Sequence, residues 1–305
     1  MIGAASAISE AASYRRGVLL VLAAGVCWSI MGIGVRLIEN ANVWQILFYR
    51  SMILVPFLAC VIGLRSHGRL IDAVRNIGVP GIVAGAALVL AFSGGVYSIQ
   101  ATTVANAMFL LATAPFMAAV LGLVILGEAV RRATWLATVV ALCGVAVMVG
   151  GGFSAGRGIG NLAALASALG FAIFTIALRW KKTEDMMPAV LIGGTFTIVV
   201  SGLICVTQDL TFALSWRDIG ISFGLGVFQV GAGLVLFTAG SKAVPAGELA
   251  LLSLGEVILG PFWVWLFLSE TVSPHTLIGG AILLLALAGN AMSGMRRKPP
   301  PVALG

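Results

Sequence analysis

Apolar residues run along this chain in long blocks separated by short polar breaks, and nowhere do they alternate with a period of two. A hydrocarbon core about 30 Å thick needs about 20 apolar residues per crossing helix. Ten blocks have that character: Gly17–Ile38, Val43–Leu64, Gly78–Ile99, Val104–Leu126, Thr134–Gly151, Gly160–Leu178, Pro188–Val206, Ile219–Gly240, Gly247–Leu268 and Thr276–Gly294. The pattern predicts an all-α integral membrane protein, and the missing alternation argues against a transmembrane barrel. Linkers are a few residues long except at Arg65–Ile77, Arg179–Met187 and Thr207–Asp218, so no loop holds a soluble domain. Residues 1–16 carry Arg15 and Arg16 ahead of a full-length block, without the short apolar core and small-residue cleavage site of a signal peptide. The end at 295–305 contains Arg296, Arg297 and Lys298 followed by Pro299, Pro300 and Pro301, which stop a helix and predict a basic tail.

Composition excludes the alternative of two soluble domains. Hydrophobic residues make up 60% and charged residues 10%, against about 45–50% and about 25% in soluble proteins. Eleven acidic and 18 basic side chains cannot cover a soluble surface of this size. The mean hydropathy is +1.09. Thirty-nine glycines suit helices that approach closely in lipid. Cys27, Cys60, Cys143 and Cys205 fall inside apolar blocks without CxxC spacing, which predicts small core residues rather than disulfides or a metal site.

The formal charge of +7 is a topology signal before it is anything else. Fourteen of the 18 basic residues fall on the side that holds both termini, spread over six segments: Arg15, Arg16, Arg65, Arg69, Arg75, Arg131, Arg132, Arg179, Lys181, Lys182, Lys242, Arg296, Arg297 and Lys298. Arg157 and Arg217 fall opposite, with Arg36 near that boundary, and Arg50 lies within the second block. The positive-inside rule then puts both termini in the cytoplasm. No nucleic-acid partner is needed to explain the charge.

The two halves of the chain resemble each other. An offset of 143 pairs Gly17 with Gly160, Leu19 with Leu162, Ala23 with Ala166, Ile30 with Ile173 and Arg36 with Arg179, and sets Trp28 on Phe171. An offset of 142 pairs Ala101 with Ala243, Leu110 with Leu252, Glu128 with Glu270 and Thr134 with Thr276. The charged pairs count most in a chain so rich in Ala, Gly and Leu. Residues 17–152 and 153–294 are thus expected to form two five-helix repeats, inverted because five is odd. Such repeats are a transporter architecture, with a midplane site exposed alternately as one half rocks against the other.

Particular runs carry a family resemblance. The Trp28-containing first block, the fourth-block run from Ala107 to Phe116 ending in Leu126-Gly127-Glu128, and the ninth-block run from Leu254 to Pro261 ending in Leu268-Ser269-Glu270 are similar to the EamA family of the drug/metabolite transporter superfamily. The resemblance covers about residues 17–294. It implies ten helices, cytoplasmic termini and a cavity lined mainly by the first, third, fourth, sixth, eighth and ninth helices. It also implies export of amino acids, other small metabolites or toxic compounds. Ser269 departs from the pattern, which has glycine there.

Ionisable groups within the blocks are the sharpest clues, since one at mid-bilayer costs about 2.5–3.5 kcal/mol. Glu256, near mid-depth of the ninth block, either lines the cavity as a carboxylate that binds an amine or exchanges a proton, or is a hydrogen-bonded strut. Arg50 is expected to snorkel or to pair with Glu39 rather than to attract a substrate anion. Glu248 and Lys242 are expected to pair at the ninth helix start. Glu128 and Glu270 are expected to be structural, accepting from backbone N–H groups that open the next helix. The candidate substrate-binding set is Trp28, Ser93, Tyr97, Asn106, Phe171, Gln229, Ser253 and Glu256. Gln229 stands out because Gly224, Gly226, Gly231 and Gly233 leave room beside it. Against this, hydroxyls can bond their own helix and the aromatics, with Trp263 and Trp265, can pack or face lipid. Pro115 and Pro261 are candidate hinges, and Gly81/Gly85 and Gly220/Gly224 fit small-residue packing within the chain or in a homodimer.

These features predict a secondary exporter of small amphipathic metabolites, with aromatic or bulky apolar amino acids as the leading class. The rival is a proton-coupled antiporter of cationic drugs working through Glu256. An intramembrane enzyme is disfavoured: HExxH and Walker A sequences are absent, and His67 and His275 lie in loops. No cofactor is implied.

Overall fold

The computed structural model describes residues 2–154, 157–180 and 185–295. Lys181, Lys182 and the predicted basic tail with Arg296, Arg297 and Lys298 lie outside the described residues. Ten helical spans among the described residues are long and apolar enough to cross a membrane. Six are continuous helices that match the second, third, fifth, sixth, seventh and tenth blocks: Val43–Arg65, Gly78–Ala101, Arg132–Ser154, Gly158–Trp180, Met187–Thr207 and Pro274–Met295. The ninth, Ala246–Leu268, is continuous too and passes through Pro261 without interruption. A short helix, Leu70–Arg75, occupies the longest linker, between the second and third spans.

Three spans are interrupted, which block lengths alone do not reveal. The first consists of Ile2–Ser29 and Met31–Arg36. Ser29 Oγ donates to the Val26 carbonyl at 2.7 Å just before the break, a back-bond that bends helices. The fourth consists of Val104–Leu111 and Ala114–Leu126. Pro115 lacks an N–H and its ring would clash with the carbonyl four residues earlier, so the helix stops, and Pro115 sits in the first turn of a new helix instead of kinking an old one. The eighth runs as Trp216–Gly224, a π-helical segment Leu225–Ala232, and Gly233–Gly240. Helix starts follow ordinary capping rules: Asn42 accepts from Trp44 N at 3.1 Å while Gln45 accepts from Asn42 N at 2.7 Å, and Ser215 accepts from Asp218 N at 3.1 Å.

Packing between spans depends on missing side chains, as expected where lipid offers no hydrophobic drive for association. A β-carbon added at Gly170 in the sixth span would stand 2.7 Å from Ala91 N in the third, and one at Gly94 would stand 2.6 Å from the Ala163 carbonyl. Ser167 Oγ closes this seam by donating to the Ala91 carbonyl at 2.5 Å. The first and eighth spans meet similarly at Gly17 and Gly240, and the fifth and tenth at Gly144 and Gly279. Gly85 packs against Gly193 of the seventh span, while Gly220 and Gly224 would place a β-carbon in open space.

Residues paired by the two sequence offsets make equivalent contacts. Gly17 abuts Ala243, just beyond the eighth span, and its mate Gly160 abuts Ala101 at the end of the third, the mate of Ala243. Large apolar side chains such as Leu19, Leu136, Leu203 and Leu285 point outward, as a lipid-facing surface requires. Of the cysteines, Cys205 is buried and Cys27 half-buried, whereas Cys60 and Cys143 are exposed on the outside of the bundle rather than in its core.

Candidate functional site

The eighth span organises the interior. Ser222, Gly226 and Gln229 recur at intervals of four and three, so they share one helix face. That face meets the second span: a β-carbon at Gly226 would lie 2.4 Å from the Arg50 carbonyl oxygen. Gly231 leaves room for Phe57, and Gly233 for the Trp28 indole. Trp28 also packs on Phe237, with ring centroids 5.2 Å apart. Gln229 is buried and its Oε1 finds no donor. The surrounding π-helical turn widens the backbone locally, a device common at functional sites.

Arg50 departs from its expected role. It is 1% exposed, so it does not snorkel, and Glu39 pairs instead with Arg217. The reason is positional: Glu39 stands in the linker before the capped helix start at Val43, beside Arg217. The Arg50 guanidinium lies over the Phe92 ring at 4.4 Å, and Phe92 makes an edge contact with Phe171 at 6.4 Å. Arg50 Nε and Nη2, Ser51 Oγ and Ser222 Oγ are buried without hydrogen-bond partners.

The remaining candidates separate by how fully their polar atoms are used. Asn106 is buried in a network: its Nδ2 donates to Asn161 Oδ1 and, at 3.4 Å, to Thr102 Oγ1, while its Oδ1 accepts from Thr276 Oγ1 at 3.3 Å. It joins the fourth, sixth and tenth spans and has little left for a ligand. Ser93 donates to its own helix at the Val89 carbonyl, 2.7 Å away. Tyr97 is 41% exposed and makes no hydrogen bond with the described residues. Ser253 and Glu256 are half-buried on the ninth span. Glu256 forms no ion pair or hydrogen bond with the described residues, one turn from Gly260, which packs on Met108. Trp263 Nε1 donates to Ser29 Oγ at 2.9 Å, while Trp265 faces outward.

Sequence reasoning missed Asn161 and Asp218, both fully buried. Asp218 accepts from Glu39 N at 3.1 Å and Asn40 N at 3.2 Å, anchoring the linker between the first two spans. A polar residue at the edge of an apolar block, just inside it for Asn161 and just before it for Asp218, was the available signal. Glu248 accepts from Tyr14 at 2.5 Å rather than pairing with Lys242.

Glu128 and Glu270 are tied across the halves and do not cap the helices that follow them. Glu270 Oε2 is 3.0 Å from Arg36 Nε, and its Oε1 accepts from Val104 N at 2.7 Å, the start of the fourth span. Arg36 also donates to the Thr102 carbonyl at 2.6 Å. At the other face, Glu128 pairs with Arg179. Each arginine is the sequence mate of the other, as is each glutamate, so the two ion pairs are equivalent. The Arg36–Glu270 pair borders a polar recess of about 540 Å³ lined by Gln100, Thr102, Thr103, Arg157 and Thr271.

A family model described as the EamA-like transporter family matches this chain twice, over residues 15–150 and 158–292. The chain belongs to the EamA-like transporter family. Its duplicated match agrees with the equivalent contacts just described, and its relatives are transporters of the drug/metabolite type. The pseudopaline exporter CntI of Pseudomonas aeruginosa is 24% identical over 282 residues, covering 89% of this EamA-family chain and 94% of CntI. The uncharacterized transporter YwfM of Bacillus subtilis is 27% identical over 57% of this chain and 60% of its own length. Protein RarD of Salmonella typhimurium is 29% identical over 57% of this chain and 58% of RarD. The chain therefore spans about three fifths of the length of two of these relatives. A solved crystal structure shares the fold with a TM-score of 0.66 at 19% identity, over 93% of this chain and all of the other.

Proposed function

We propose that this EamA-family protein exports small amphipathic metabolites from the bacterial cytoplasm by alternating access, with aromatic or bulky apolar amino acids as its substrates. The observation that carries this reading is the interior around the eighth span, where the unpartnered side-chain carbonyl oxygen of Gln229 lies in a π-helical turn bordered by Trp28. Such a mixture suits a solute with an apolar side chain and a polar head. Export is supported by the named activity of CntI. The excess of basic residues on the side of both termini supports an inner-membrane orientation with those termini cytoplasmic. The duplicated family match and the odd number of spans in each half support an inverted pair of the kind alternating access uses, and the paired arginines and glutamates bridge the halves at each end.

Uptake of labelled amino acids into proteoliposomes, with and without an imposed pH gradient, tests the proposal. Phenylalanine or leucine is expected to enter well above empty-vesicle background, and Gln229→Ala to reduce that rate at least about tenfold. Entry of no amino acid overturns the substrate class. One observation favours a second reading, proton-coupled antiport of cations: Glu256 has no partner among the described residues. In that case Glu256→Gln abolishes gradient-driven exchange of a cationic dye while the wild type retains it.

A further inference from the structure

Arg50 is a full positive charge about seven residues from the outer end of the second span, roughly 10 Å into the membrane along the helix. It is almost wholly enclosed, and no acidic side chain forms an ion pair with it among the described residues. Its face toward Phe92 is occupied by the aromatic ring, which offsets part of the cost of burial. Two of its nitrogens remain unused. A guanidinium presents its donors as a planar fork that matches a carboxylate. A buried charge of this kind is stable only when an anion or several acceptors complete it.

Other buried polar atoms without partners lie on the two helices that meet at this seam. Ser51 on the same helix and Ser222 across the seam offer hydroxyls without partners, and Gln229 offers a free carbonyl oxygen. Phe92 and Phe171, in edge contact, provide an apolar wall beside the guanidinium. The eighth span reaches this point through Gly226, whose missing side chain brings its backbone against Arg50. We infer that Arg50 binds the carboxylate of the transported solute, with Phe92 and Phe171 holding its apolar part and the π-helical turn bearing Gln229 completing the polar head site. The inference deepens the proposed amino-acid export and rests on it for the identity of the solute, but the binding of an aromatic acid can be measured without transport.

The full chain in detergent is titrated with 3-phenylpropanoate and with phenethylamine, which share the aromatic group and differ in the charged head, and binding is read as thermal stabilisation. The wild type is expected to bind the acid at least about tenfold more tightly than the amine. Arg50→Gln is expected to lose that preference while eluting as a monodisperse species. Arg50→Lys keeps the charge without the fork, and is expected to weaken acid binding by about fivefold or more with amine binding unchanged. Equal binding of acid and amine by the wild type overturns the inference. So does wild-type acid affinity in either folded variant, or an equal loss of both ligands. A wild type that binds the acid but transports no amino acid supports the Arg50 site and refutes the substrate class. Amino-acid uptake with Phe competed equally by phenylalaninamide supports the substrate class and refutes the site.

Discussion

The two ion pairs that join the halves are equivalent in sequence and unequal in surroundings. Arg36 and Glu270 are 27% and 21% exposed, and each also holds a backbone group, the Thr102 carbonyl and the Val104 N–H. Arg179 and Glu128 are 48% and 39% exposed and are held chiefly by each other. The first pair therefore secures a helix start and a helix end together with its charge, whereas the second is a surface contact of the kind worth only about 0–1 kcal/mol. Repetition in the sequence marks where a contact forms. Burial and the additional backbone partners determine how much it contributes.

Removing each glutamate gives the largest separation of the two sites. Glu270→Ala leaves the Val104 N–H and Arg36 without their acceptor and should destabilise the protein by about 2–3 kcal/mol, while Glu128→Ala should cost about 1 kcal/mol or less. Thermal unfolding in detergent measures both, and equal losses would remove the distinction. Exchange of charges sharpens it. Arg179→Glu with Glu128→Arg should restore stability to within about 0.5 kcal/mol, because only the pair matters there. Arg36→Glu with Glu270→Arg should recover little, because an arginine cannot accept from Val104 N and a glutamate cannot donate to the Thr102 carbonyl. The smallest effect concerns the residue before each glutamate. Gly127 and Ser269 both adopt left-handed backbone, with φ of 65° and 54°, a conformation that costs a non-glycine residue roughly 1 kcal/mol. Ser269→Gly should accordingly stabilise by about 1 kcal/mol and Gly127→Ser should destabilise by a similar amount, both measured as shifts in unfolding temperature.

Much of the fold was legible because hydropathy reports the cost of leaving lipid, and ten blocks each carry that cost. The breaks at Ile30 and at Ala112-Thr113 were not, since they involve only one or two residues and leave the block length unchanged. The π-helical turn is equally silent in composition. The departure of Ser269 from glycine was visible in the sequence, but its left-handed backbone required the structure. Site residues were harder to read for a related reason: the sequence shows which polar groups are expensive in a membrane, but not which are compensated. Asn106 and Gln229 look alike as amides in apolar blocks. Asn106 is engaged by Asn161, Thr102 and Thr276, partners contributed in part by other spans, while the Gln229 carbonyl oxygen has none. Arg50 attracted attention by its depth, but its surroundings depend on Phe92, more than forty positions away in the chain.

The glycine seams have a mechanical consequence. The third span locks backbone to backbone on the sixth, the fifth on the tenth, and the first on the eighth. Every one of these tight joints connects a helix of the first duplicated unit with a helix of the second. A rigid body that preserves such joints must combine spans drawn from both units, so the boundary left by duplication cannot serve as the sliding surface. A movement that preserves these joints would carry mosaics of the two units, in place of the rocking of one half against the other that the repeat alone suggests.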